Sequence, residues 1–127
     1  MRGRAKKKYY QKLKHKSKIY SVGLYVRLHK AGNRSRNYLF CRILSLYETV
    51  LNTKRMKIEH FHTYNQLYNS GDKINDNILI KSMKRNQKCF RVTDIADNIS
   101  VVPYHEFLEI RNSDDVNKKL KTFYIQE

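Results

Sequence analysis

The chain is 127 residues long, with 40% hydrophobic and 30% charged residues: one domain's worth of sequence and enough apolar surface for a compact core. Its apolar runs are short, which excludes a membrane-spanning helix, and no apolar stretch follows the basic start, so a secretory signal is not expected. Lys and Arg number 27 against 11 Asp and Glu, a net charge of +16 that points to a polyanionic partner, nucleic acid first and an anionic membrane surface second.

The charge is segregated. Residues 1–47 carry 14 Lys and Arg and no acid, whereas residues 48–127 carry 13 basic and 11 acidic side chains. Residues 1–18 (MRGRAKKKYYQKLKHKSK) show no period that would bury a face and are expected as a basic flexible tail. Residues 19–127 are expected to form a single β-rich domain. Within residues 20–28 (YSVGLYVRL), Val22, Leu24, Val26 and Leu28 alternate with Gly23, Tyr25 and Arg27, a period of two that predicts one strand with a buried face. Residues 29–37 (HKAGNRSRN) hold turn formers and several cations. The most apolar segment, residues 38–47, predicts a second strand, and alternation over residues 55–62 (RMKIEHFH) predicts a third, giving an antiparallel meander.

Residues 63–77 are rich in Asn, Asp, Ser and Gly and are expected as a long loop with room for a helical turn. After a short apolar run at residues 78–80, a second cationic loop covers residues 81–88. Strand character resumes over residues 89–93, and a turn is expected at residues 94–98. Pro103 is the single proline, and residues 120–125 (LKTFYI) suit a last strand. The sum is a mostly β fold, a small antiparallel β-barrel-like domain with one or two short helices.

Catalytic patterns are missing from this sequence. Gly3, Gly23, Gly32 and Gly71 are isolated, so neither a P-loop nor a dinucleotide fingerprint is formed. His60 and His62 share a strand face, but Cys41, Cys89 and His105 lie at no spacing that completes a metal site. Glu48, Glu59, Asp72 and Asp94 are scattered, which argues against a metal-dependent nuclease. Cys41 and Cys89 are expected as buried free thiols. No enzyme activity, cofactor, metal, small-molecule substrate or membrane partner is expected.

Binding chemistry is better supplied. Arg2, Arg4, Lys6, Lys7, Lys8, Lys12, Lys14, Lys16 and Lys18 can follow a phosphate backbone, and Arg34, Arg36, Lys84 and Arg85 extend the set from loops. Tyr9 and Tyr10, set among these lysines, either stack on bases or merely flank the fold. No base-reading helix is apparent, so sequence-specific readout is not expected.

The order of segments, "SVGLYVRL", "YLFCRILSLYE", "RMKIEHFHTY" and "KCFRVTDIADNISVVPYHEFLEI", resembles the bromo-adjacent homology (BAH) domain of chromatin proteins over about residues 19–112. His60 stands where that family carries a Trp, and this chain has no Trp at all. The resemblance implies a β-rich, non-enzymatic module contacting histones or nucleosomes in the nucleus. By the same resemblance Tyr47, Phe61 and Tyr64 are the candidates for holding a histone peptide. The competing reading is a small RNA-binding, ribosome-associated or organellar protein whose basic tail inserts into ribosomal RNA.

Overall fold

The computed structural model describes residues 7–29, 38–83 and 88–126. Its centre is a long antiparallel pair, β5 (Tyr38–Glu48) against β6 (Lys54–Thr63), with Phe40 opposite Phe61 and Glu48 opposite Lys54. The register slips between Ile43 and Ser45, where Leu44 is the extra residue in β5. β4 (Tyr25–His29) pairs with the first half of β5, and β1 (Lys8–Tyr10) pairs with its end, Tyr9 opposite Tyr47. On the far side, β7 (Ile78–Lys81) and β8 (Lys88–Arg91) take the two ends of β6. β9 (Ile95–Asn98) closes onto β4, while β11 (Thr122–Gln126) runs parallel to both β7 and the short β10 (Ser100–Val101).

The mostly β class is therefore observed, as is the antiparallel meander of β4, β5 and β6. The sheet is an open path, β10–β11–β7–β6–β5–β4–β9, and not a closed barrel. The described residues hold three short α-helices, α1 (Tyr64–Tyr68), α2 (Tyr104–Arg111) and α3 (Val116–Lys121), one more than the upper expectation. α1 sits in the expected long loop, where Thr63 and Gln66 cap it reciprocally. The Gln66 amide donates to Thr63 Oγ1 at 3.1 Å, and the Thr63 amide donates to Gln66 Oε1 at 2.8 Å.

Three local expectations are corrected. The single strand over residues 20–28 is two strands, β3 (Lys18–Ser21) and β4, because Gly23 takes φ +93 and a turn forms in which the Leu24 amide donates to the Ser21 carbonyl at 3.2 Å. The expected turn at residues 94–98 is mostly β9, an edge strand whose polar sequence hid it. Residues 8–18, expected within a tail, carry β1 and β2 (Lys12–His15), the latter paired with β3 in a separate two-stranded sheet.

Alternate residues of β5 and β6 feed two cores on opposite faces. Cys41, Ile43, Met56 and Ile58 join Val26 and Leu28 in one, which also receives Leu13 and Tyr20 from the β2–β3 hairpin. Phe40 and Phe61 join Leu79, Ile99 and Phe123 in the other. The second core covers one end of its face; at the other end Tyr47 is covered by Tyr9 and Lys7 instead.

Candidate nucleic-acid interface

Two cationic surfaces emerge, one on each side of the sheet. The first is the β2–β3 hairpin. Leu13 lies opposite Tyr20, and both are 6% exposed, so this pair anchors the hairpin on the first core. Alternation then sends Lys12 and Lys14 outward, where both are exposed. The two-residue tip, Lys16 and Ser17, has φ of 49 and 63, and places a third lysine at the apex before Lys18. Lys54, at the start of β6, donates from Nζ to the Lys14 carbonyl at 2.7 Å. Beside it a shallow cleft of about 220 Å³ is lined by Tyr10, Lys12, Leu13, Lys14, Glu48 and Lys54. Its one carboxylate, Glu48, accepts from the Tyr10 hydroxyl at 3.3 Å. The cleft is open and of mixed lining, with three lysines beside Tyr10, Leu13 and the one carboxylate.

The second surface follows from register. Tyr9 faces Tyr47, Tyr47 faces Arg55, and Arg55 faces Arg91, one row crossing β1, β5, β6 and β8. Directly opposed residues of antiparallel strands share a sheet face. The next row holds Ser45, Lys57 and Cys89, and the one beyond it Arg42 and Glu59. Tyr9 and Tyr47 are in ring contact at 5.7 Å, and Lys7 Nζ lies 4.8 Å from the Tyr47 ring centre. Burial, together with the neighbouring Cys89 thiol, raises the Tyr47 hydroxyl pKa, while Arg55 pulls it the other way. Among the described residues, ion pairs join Arg27 to Asp97 and Lys81 to Glu59, leaving Lys7, Arg42, Arg55, Lys57 and Arg91 without a carboxylate partner.

Of the cations singled out by sequence, Lys12 and Lys14 share the outer face of the hairpin, Lys16 is at its tip, Lys18 is exposed opposite His15 on the face that carries Leu13, Lys7 lies over Tyr47, and Lys8 is exposed on β1. Arg2, Arg4, Lys6, Arg34, Arg36, Lys84 and Arg85 lie outside the described residues. Tyr9 and Tyr10 are split between the two faces, as neighbours on a strand must be. The aromatic trio does not converge. Tyr47 and Phe61 are 2% and 3% exposed, and Phe61 belongs to the second core. Arg55, opposite Tyr47, and Phe61 are about 20 Å apart along β6. Tyr64 is on α1, in tilted ring contact with Tyr68 at 4.7 Å.

Sequence reading missed Arg42, Lys54, Arg55, Lys57 and Arg91 as binding candidates. For Arg55 and Lys57 a signal was present: in RMKIEHFH they alternate with Met56 and Ile58, which are buried. His60 and His62 do share a face, with ring centres 4.4 Å apart, and among the described residues no group of three or more potential metal ligands forms. No helix of the described residues is long and apolar enough to cross a membrane.

No protein-family model matches the chain, and no curated protein does. Among solved structures, the yeast Rsc2 BAH domain superposes with a TM-score of 0.61 at 12% identity, over 92% of this chain and 48% of that one. The chain thus spans about half the length of that structure, and the likeness establishes a BAH-like fold.

Proposed function

We propose that this chain is a non-enzymatic, chromatin-associated binding module of the nucleus that holds nucleosomal DNA by its phosphates and the histone surface by its β domain. The observation that carries the reading is the hairpin: Lys12, Lys14, Lys16 and Lys18 on a small ribbon, anchored by Leu13 and Tyr20 in the first core. A rigid cationic ribbon loses little entropy on docking and so applies its charge efficiently to a phosphate backbone. The BAH-like fold supports chromatin as the source of that polyanion. Arg2, Arg4, Lys6, Arg34, Arg36, Lys84 and Arg85 add to the same attraction in this reading.

An electrophoretic shift assay with nucleosomes and with free DNA of equal length tests it. Nucleosomes are expected to bind more tightly than free DNA. Replacing Lys12, Lys14, Lys16 and Lys18 together by Glu is expected to weaken both at least roughly tenfold. Equal affinity for the two would remove the histone contact, and an unchanged quadruple variant would remove the hairpin from the interface. Tighter binding to ribosomal RNA than to nucleosomes would turn the reading towards an RNA-associated protein.

A further inference from the structure

The row Tyr9–Tyr47–Arg55–Arg91 lies across the sheet from the hairpin and takes no part in the contacts proposed above. Neighbouring strands are about 4.8 Å apart, so these four side chains form a strip about 14 Å long. Its two rings differ sharply in exposure: Tyr47 is 2% exposed and Tyr9 is 61% exposed. Tyr47 is thus covered, and Tyr9, tilted by 42° against it, leaves most of its own surface to solvent. Lys7 and Lys57 flank the strip, and Arg55 and Arg91 extend it. Two acids lie near the strip. Glu59 is paired with Lys81 at 3.1 Å, and Asp94 accepts from the Arg91 backbone amide at 3.2 Å.

A ligand that fits this strip carries repeated negative charge and flat apolar surfaces within the same short span. An acidic peptide has the charge without the flat surfaces. A duplex has the charge but hides its base faces in the stack. An unpaired strand presents both, and an aromatic ring beside lysine and arginine is how proteins take hold of one. We infer that this sheet face binds an unpaired nucleic-acid strand, one base stacking on Tyr9 and the adjoining phosphates resting on Lys7, Arg55, Lys57 and Arg91. This activity is independent of nucleosome binding and uses the opposite side of the sheet.

The test is fluorescence anisotropy of the full chain with labelled ten-nucleotide oligo(U) RNA, oligo(dT) and a ten-base-pair duplex at fixed salt. Tyr9→Ala is expected to weaken at least one single strand by roughly 5- to 150-fold, while Tyr9→Phe retains wild-type affinity within about twofold. Duplex affinity should be unmoved by either change. Tyr9 is exposed, so both variants should fold, which circular dichroism checks. The lysine hairpin variant should lose duplex and nucleosome binding while keeping the single strand, so the two readings fail separately. Absence of single-strand binding, an unaffected Tyr9→Ala, or equal losses for single strand and duplex would overturn the inference.

Discussion

Arg27 is unlike the other described cations of the first 47 residues because its charge serves the fold. It donates from Nε to Asp97 Oδ1 at 2.7 Å and through a second nitrogen to Oδ2, across the β4–β9 pair, with its guanidinium against the Tyr38 ring. That bidentate bond holds the Arg27 pKa up, against burial, which pulls it down. Asp97→Asn should therefore lower stability by about 1–2 kcal/mol in urea unfolding, without altering polyanion affinity. The two thiols separate as sharply. Cys41 is buried as expected, 1% exposed, and burial pushes its pKa up to about 12, whereas Cys89, expected to be buried, is exposed at the sheet edge strand β8. A disulfide-exchange reagent should label one thiol quickly in the native chain and the second only after unfolding. A folded-state pKa raised from 9.0 means the native state keeps a proton that the unfolded chain releases. Stability is then intact below pH 9 and falls as pH climbs towards 12, by about 1.4 kcal/mol per pH unit for this group. Tyr20 and Tyr47, also raised, add a loss of the same sign. Urea midpoints measured between pH 8.5 and about 10.5 should fall less steeply for Cys41→Ala than for the wild type; identical slopes would remove Cys41 from the alkaline transition.

The hairpin is the element most weakly written in the sequence and most consequential for the surface. KLKHKSK contains a single aliphatic residue, Leu13, so hydrophobic alternation has nothing to report until Tyr20 is set opposite it across the turn. β9 escaped for a related reason: IADN is short and polar, and its place beside β4 is fixed by Arg27 and Asp97, a pairing 70 positions apart. By contrast β5 and β6 were legible because their alternation is long and a polar connection separates them. The lone misreading among the strong signals, residues 20–28, arose because alternation continued through Gly23 while the backbone did not. At the hairpin tip both Lys16 and Ser17 occupy the left-handed region, which penalises residues other than Gly and Asn. Ser17→Gly should stabilise the chain by about 1 kcal/mol in thermal or urea unfolding. Leu13→Ala should cost roughly 2–3 kcal/mol and free the hairpin from the core, seen as faster amide exchange in β2 and β3 than in β5 and β6.

For the whole molecule, the sequence foretold the sign and the segregation of the charge but not its geometry. A stretch of 47 residues without an acid predicts a cationic region. Pairing then divides it, with Lys12, Lys14, Lys16 and Lys18 on one side of the sheet and Lys7 on the other. Arg55, Lys57 and Arg91, from the nearly neutral remainder of the chain, are recruited beside Lys7. No linear reading of composition finds that second group, because it is assembled by the register of β1, β5, β6 and β8. The histone-peptide trio failed to gather for a different reason: the interior takes Tyr47 and Phe61, while Tyr64 sits half-buried on α1. The most direct test is the salt dependence of duplex affinity, compared between the full chain and the variant with Lys12, Lys14, Lys16 and Lys18 replaced by Ala. Loss of four phosphate contacts should make the slope of log affinity against log salt shallower by about 3–4, with affinity falling most at low salt. An unchanged slope would contradict the assignment of the hairpin as the arm that grips the phosphate backbone.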